Sequence, residues 1–204
     1  MVIKKILIIG LSCLLLVGCS DKPKVVNNPD GKSLTYNYFK NVNYDKYTLK
    51  LKNGKRTILY IRNNDKSYYE TADDSETLIT IEKDNVRYTL DTTNKVYVKE
   101  DVQSYTDYML GYFPSDIKKL KNMKYKTGHE RIDLFKYTYE TYVYSNCETT
   151  YYYKGKKLEY IKSKNALNET MIKFVSISSK IDEDKFSIPK NYQELELWGY
   201  LWIK

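Results

Sequence analysis

The sequence predicts a mainly β fold of the α+β kind, a curved antiparallel sheet or half-barrel with a short helical insertion near 101–124. Three observations carry this. Tyrosine occurs 23 times against 8 glycines and 4 prolines, and its ring covers a pleated surface while its hydroxyl reaches water. Apolar residues alternate in short runs separated by turn-forming residues through most of the chain. A helical period replaces that alternation after Glu100.

The N-terminal stretch stands apart from the pattern. Lys4 and Lys5 precede the apolar run Ile6–Val17, which closes with Leu16-Val17-Gly18-Cys19. A charged start, an apolar core of secretory length and small residues before a cysteine resemble the bacterial lipoprotein signal peptide. Its Leu-x-Gly-Cys lipobox is cut before the cysteine once the thiol carries a diacylglyceryl group. The resemblance implies a signal peptide over residues 1–18, lipidation at Cys19 and residence on the extracytoplasmic face of the bacterial cell membrane. The run is short for an uncleaved helix crossing ~30 Å of hydrocarbon. Two acyl chains hold a protein stably where one binds marginally. Residues 19–33, rich in turn formers and charge, are expected to be a lipidated tether reaching up to roughly 40 Å. A single domain is expected over residues 34–204.

Within that domain, Leu34–Phe39 and Tyr44–Lys52 alternate as strands. Asn53-Gly54 is the dipeptide of a type I′ hairpin turn, and counting outward pairs Leu49 with Ile58 and Tyr47 with Tyr60. Lys66–Thr71 and Thr77–Lys83 are expected strands on either side of Asp73-Asp74-Ser75-Glu76. That acidic cluster lacks the alternating ligands and the glycine of a calcium loop and reads as a solvated turn. Asp84-Asn85 turns the chain into Val86–Leu90, and Asp91–Asn94 turns it into Lys95–Lys99. Val102, Tyr105, Met109 and Tyr112 share a helical face. Ser115 is then a plausible N-cap for a second helix over Asp116–Met123. Strands resume at Arg131–Tyr144, Thr149–Lys154, Leu158–Ser163 and Met171–Ile181, with Lys154-Gly155-Lys156 as a turn. The Arg131–Tyr144 and Met171–Ile181 strands are apolar on both sides, so part of the second face of the sheet must be covered.

Charge and chemistry narrow the function classes. Loss of Lys4 and Lys5 with the leader lowers the net charge from +8 to about +6, which suits attraction to anionic lipid or wall polymer. No Lys/Arg run makes a nucleic-acid patch. With Cys13 in the leader and Cys19 lipidated, Cys147 has no intrachain partner, so neither a disulfide framework nor a thiol-rich metal site is expected. His129, the sole histidine, sits beside Glu130 at an expected turn, without a nucleophile elbow, a second histidine or a phosphate loop. The reading is no enzyme and no cofactor. Trp198, Tyr200 and Trp202 alternate near the C-terminus and suit a last strand or a membrane or partner contact.

The order of elements is similar to the lipoprotein-sorting and lipid-carrier superfamily of LolA and LppX type. The residues that carry this are Gly128-x-Glu130 opening a Tyr-rich strand, Tyr153-Lys-Gly155-Lys-Lys-Leu158, and Ile181-Asp182-x-x-x-Phe186-x-Ile188-Pro189-x-x-Tyr192. The resemblance implies a half-open barrel with helices on its concave face, holding acyl chains. Asp182 and Pro189 are expected to end the sheet. The functional expectation is a non-catalytic, membrane-anchored module binding a lipid or other hydrophobic ligand. The alternative is a surface lipoprotein that meets anionic cell-wall polymer or a protein partner without a pocket.

Overall fold

A computed structural model describes residues 22–27, 31–102, 114, 117–144 and 147–196. The fold is one large, curved, unclosed sheet, and the mainly β expectation holds. Its strands are β1 (Lys24–Val26), β2 (Lys46–Asn53), β3 (Arg56–Asn63), β4 (Lys66–Ala72), β5 (Thr77–Lys83), β6 (Val86–Asp91) and β7 (Val96–Asp101), followed by β8 (Tyr125–Ile132), β9 (Phe135–Tyr144), β10 (Cys147–Lys154), β11 (Lys157–Lys164), β12 (Glu169–Ser178) and β13 (Gln193–Glu194). Two antiparallel meanders, β2–β7 and β8–β12, are fused where β12 pairs with β2. β1 guards the β8 edge, and β13 runs parallel to β7 at the other edge.

The hairpins follow from their turn residues. Gly54, Asn64, Asp84, Asp133 and Gly155 have φ between 53° and 62°, and each opens a two-residue loop whose twist matches right-handed strands. Asn and Asp tolerate this left-handed region better than branched residues do. In the β2–β3 hairpin the loop is Gly54-Lys55, so Leu49 faces Tyr60 and Leu51 faces Ile58. The expected pairing is therefore displaced by two residues. Strand period is two, so the displacement leaves every side chain on its expected face.

Three other expectations change. Leu34–Phe39 is helix α1, not a strand. The expected strand from Arg131 is two strands, β8 and β9, hinged at Asp133-Leu134. The expected tether carries β1, whose Lys24 pairs with Thr127. Helix α2 (Ile117–Asn122) matches the second expected helix. The first expected helix beyond Val102, the Ser115 cap and the Trp198–Trp202 alternation lie outside the described residues, as do the leader and Cys19.

The two-faced apolar strands are explained by cover on opposite faces at opposite ends of the sheet. One face of β2, β3 and β9–β12 packs under α1 and α2, with Phe39, Leu51, Tyr60, Leu120, Tyr151 and Phe174 in one core. The reverse face of β3–β7 supplies Ile61, Tyr68, Ile81 and Leu90 to a second core. A 3-10 turn, Glu183–Phe186, brings Phe186 onto it, flanked by Ile181 and Tyr192. Neighbours in β3, Tyr60 and Ile61, thus feed different cores. The Asp182–Pro189 segment covers the sheet and does not end a strand. A bulge between Phe174 and Ser176 shifts β12 by one residue, placing Ile177 opposite Leu49 and on the face of Phe174.

Candidate functional site

Two places on the sheet have chemistry worth weighing. The first is the space under α1. Ser33 caps the helix, its Oγ accepting from Tyr36 N at 3.1 Å. The deeper tie is long-range: Glu140, 3% exposed, accepts from Leu34 N at 2.8 Å, Thr35 N at 2.9 Å and Thr35 Oγ1 at 2.7 Å. Tyr142 OH donates to the same carboxylate at 3.2 Å, and Tyr153 OH donates to Thr35 Oγ1 at 3.0 Å. A carboxylate at a helix start satisfies N–H groups that have no intrahelical partner. Thr35 and Phe39, four residues apart, consequently face inward and are fully buried. Tyr38 and Phe39 meet Phe174 edge-on at 5.7 and 6.4 Å, and Phe39 meets Tyr151 at 5.9 Å. These rings pack the space between α1 and the sheet. Burial drives the phenols of Tyr142, Tyr151 and Tyr153 above their ordinary range.

The second place is the reverse face of β8–β12 and β2, away from α1. One register row crosses it as Gly128, Tyr139, Tyr152, Tyr160, Lys173 and Lys52. A side chain at Gly128 would collide with Tyr139, whose hydroxyl lies 2.7 Å from the position of a Cβ. The glycine lets the ring lie flat across β8, as aromatic residues do beside glycines in sheets. Tyr152 OH donates to Glu130 Oε2 at 2.9 Å, and Lys162 Nζ stands 5.9 Å over the Tyr152 ring. Tyr137 and Tyr160 meet edge-on at 5.6 Å. Beside these rings Lys50, Lys52 and Lys173 are exposed. Lys52 and Lys173 are direct cross-strand partners, a like-charge pairing that destabilises a sheet unless an anion joins it. Among the described residues, neither has a carboxylate within ion-pair distance.

The remaining sequence candidates separate. His129 and Glu130 point to opposite faces of β8. His129 Nδ1 lies 3.3 Å from Thr138 Oγ1, while Glu130 serves Tyr152. His129 is within a strand, not at the expected turn. Cys147 is half-buried, with Sγ 3.2 Å from Ser163 Oγ. Asp73 folds the acidic cluster onto itself, accepting from Ser75 N, Ser75 Oγ and Glu76 N, and pairs with Arg56 at 2.7 Å. The hydrogen bonds from Ser75 and Arg56 hold its carboxyl well below the usual range. No group of three or more metal-ligating side chains occurs among the described residues.

Sequence reading did not find the Lys–Tyr row, because its members come from six strands. The available signals were the alternating Tyr137 and Tyr139 and the unexplained Gly128. No protein-family model matches the chain, and no curated protein is significantly similar to it.

Proposed function

We propose that this chain is a lipid-anchored, non-catalytic module on the extracytoplasmic face of a bacterial membrane, with the Lys–Tyr row as its binding face for an anionic wall polymer. The lipobox-like Leu16–Cys19 supports the anchor. The single observation behind the binding face is the uncompensated Lys52–Lys173 pair beside Tyr160. Lysines attract phosphate or carboxylate groups as mobile point charges, and ring edges offer apolar contact to the polymer between them.

The test is retention of the purified full chain on a polyanionic wall polymer at two salt concentrations. Binding should weaken with added salt as exposed charges are screened. Lys52→Gln with Lys173→Gln should lower affinity about tenfold, or ~1.4 kcal/mol. Unchanged affinity in the double variant would remove this face as the site. The anchor is tested separately by Cys19→Ala, which should release the protein from membranes.

A second reading, an acyl-chain carrier with α1 as a lid, is favoured by the curved, unclosed sheet with helices against one face. It requires α1 to leave Glu140 and expose Phe39, and native mass spectrometry would then find lipid bound to the chain.

A further inference from the structure

Two exposed leucines stand at opposite ends of the β8–β12 meander. Leu134, 92% exposed, is in the β8–β9 turn, and Leu167, 90% exposed, is in the β11–β12 turn. Leu134 has an exposed aromatic neighbour and several exposed basic side chains around it. Phe135 beside it is 51% exposed, with Lys154 Nζ 3.8 Å above its ring. Arg131, Lys136 and Lys156 are exposed around the turn, against Asp133 within it. Because Tyr153 pairs with Thr138, the Lys154–Lys157 turn lies at this same end.

The direction of β1 relates this end to the N-terminus. Lys24 pairs with Thr127 and Val26 with Tyr125, so the chain upstream of Lys24 leaves toward Ile132 and the β8–β9 turn. From Thr127 to Ile132 the strand advances about 17 Å. The covalent chain from Lys24 back to Cys19 spans at most ~18 Å. Fully extended, the chain therefore lets an anchor at Cys19 reach the level of Ile132, at the base of the β8–β9 turn.

We propose that the β8–β9 turn is a membrane-docking tip: Leu134 and Phe135 enter the headgroup layer of an anionic phospholipid leaflet while Arg131, Lys136, Lys154 and Lys156 meet lipid phosphates. The proposal rests on lipidation of Cys19. Apolar and aromatic side chains favour that layer, and basic residues near an anionic surface add to the attraction. Docking at this end holds the sheet upright and keeps the Leu167 end in water.

The experiment uses the full chain, made in a bacterium that processes lipoproteins and reconstituted in phosphatidylglycerol-containing vesicles. In a Cys147→Ser background, Leu134→Cys and Leu167→Cys each receive an environment-sensitive thiol fluorophore. Both sites are exposed turn positions, so folding is preserved. Quenching by nitroxide-bearing lipid should be several-fold stronger at position 134 than at 167. Equal quenching at both sites, or a water-exposed label at 134 in protein that floats with the vesicles, overturns the tip and leaves the anchor standing. Cys147→Ser alone should take up no label. Labelling of Cys19 in that variant, with failure to float, would overturn the anchor and the tip together.

Discussion

Raising the pH should unfold this protein through its own tyrosines. Tyr142, Tyr151 and Tyr153 lie in the core under α1, essentially without solvent exposure, and burial raises the pKa of each. The folded state thus keeps three phenolic protons that the unfolded chain releases above about pH 10. For a group whose folded pKa is raised, the stabilisation is complete below the unfolded pKa and is lost as the pH climbs toward the folded one. Each phenol that stays protonated in the fold then costs on the order of 1 kcal/mol for each pH unit above about 10. Three together cost several kcal/mol over the next two pH units, comparable with a typical domain stability of about 5–15 kcal/mol. Tyr68 and Tyr152, raised by burial and by hydrogen bonds to Glu70 and Glu130, push the same way. The expected outcome is cooperative unfolding between about pH 11 and 12. Phenolate absorbance and far-ultraviolet circular dichroism, followed in parallel, should show the late-titrating fraction appearing only with loss of strand signal. If all 23 tyrosines titrate smoothly while the strand signal stays intact, the rings are not buried and the core described under α1 is wrong.

Substitutions at Glu140, Gly128 and Tyr139 probe the contact that holds α1 and the ring that lies across β8. Glu140→Gln keeps the shape but leaves at least one of the donors from Leu34 and Thr35 facing an amide, and should cost about 2–3 kcal/mol in denaturant unfolding. A loss below about 0.5 kcal/mol would mean that α1 is not held by this carboxylate. Gly128→Ala should cost about 1–3 kcal/mol by forcing Tyr139 off β8. Tyr139→Phe, which deletes the nearest clashing atom, should recover part of that loss. Strict additivity of the two changes would refute the contact.

The sheet was legible because its strands obey a period of two and its turns contain Gly, Asn and Asp where φ is positive. What the sequence concealed was decided at long range. Leu34-Thr-Tyr-Asn-Tyr-Phe39 alternates well enough for a strand, yet Glu140, more than a hundred residues on, accepts from the N–H groups of Leu34 and Thr35 and favours a helix. The β8–β9 hairpin escaped notice because Asp133-Leu134 is a weak turn dipeptide flanked by Ile132 and Phe135, which continue the apolar pattern. The bulge after Phe174 inverted the face of Ile177, which simple alternation cannot reveal. For the candidate site, the aromatic half was visible as alternating tyrosines. The lysine half depended on β12 meeting β2, a pairing that joins the two ends of the sequence and leaves no local mark.

β1 and β13 have a practical consequence for anyone shortening this chain. They are three and two residues long, and each occupies the outer hydrogen-bonding groups of a longer neighbour, β8 or β7. Cutting away what looks like a disposable linker before residue 27 would leave eight-residue β8 as an open template for a second molecule. Trimming before Gln193 would do the same at β7. Such truncated proteins should precipitate or form ordered aggregates while their cores remain sound, since bare sheet borders recruit one another.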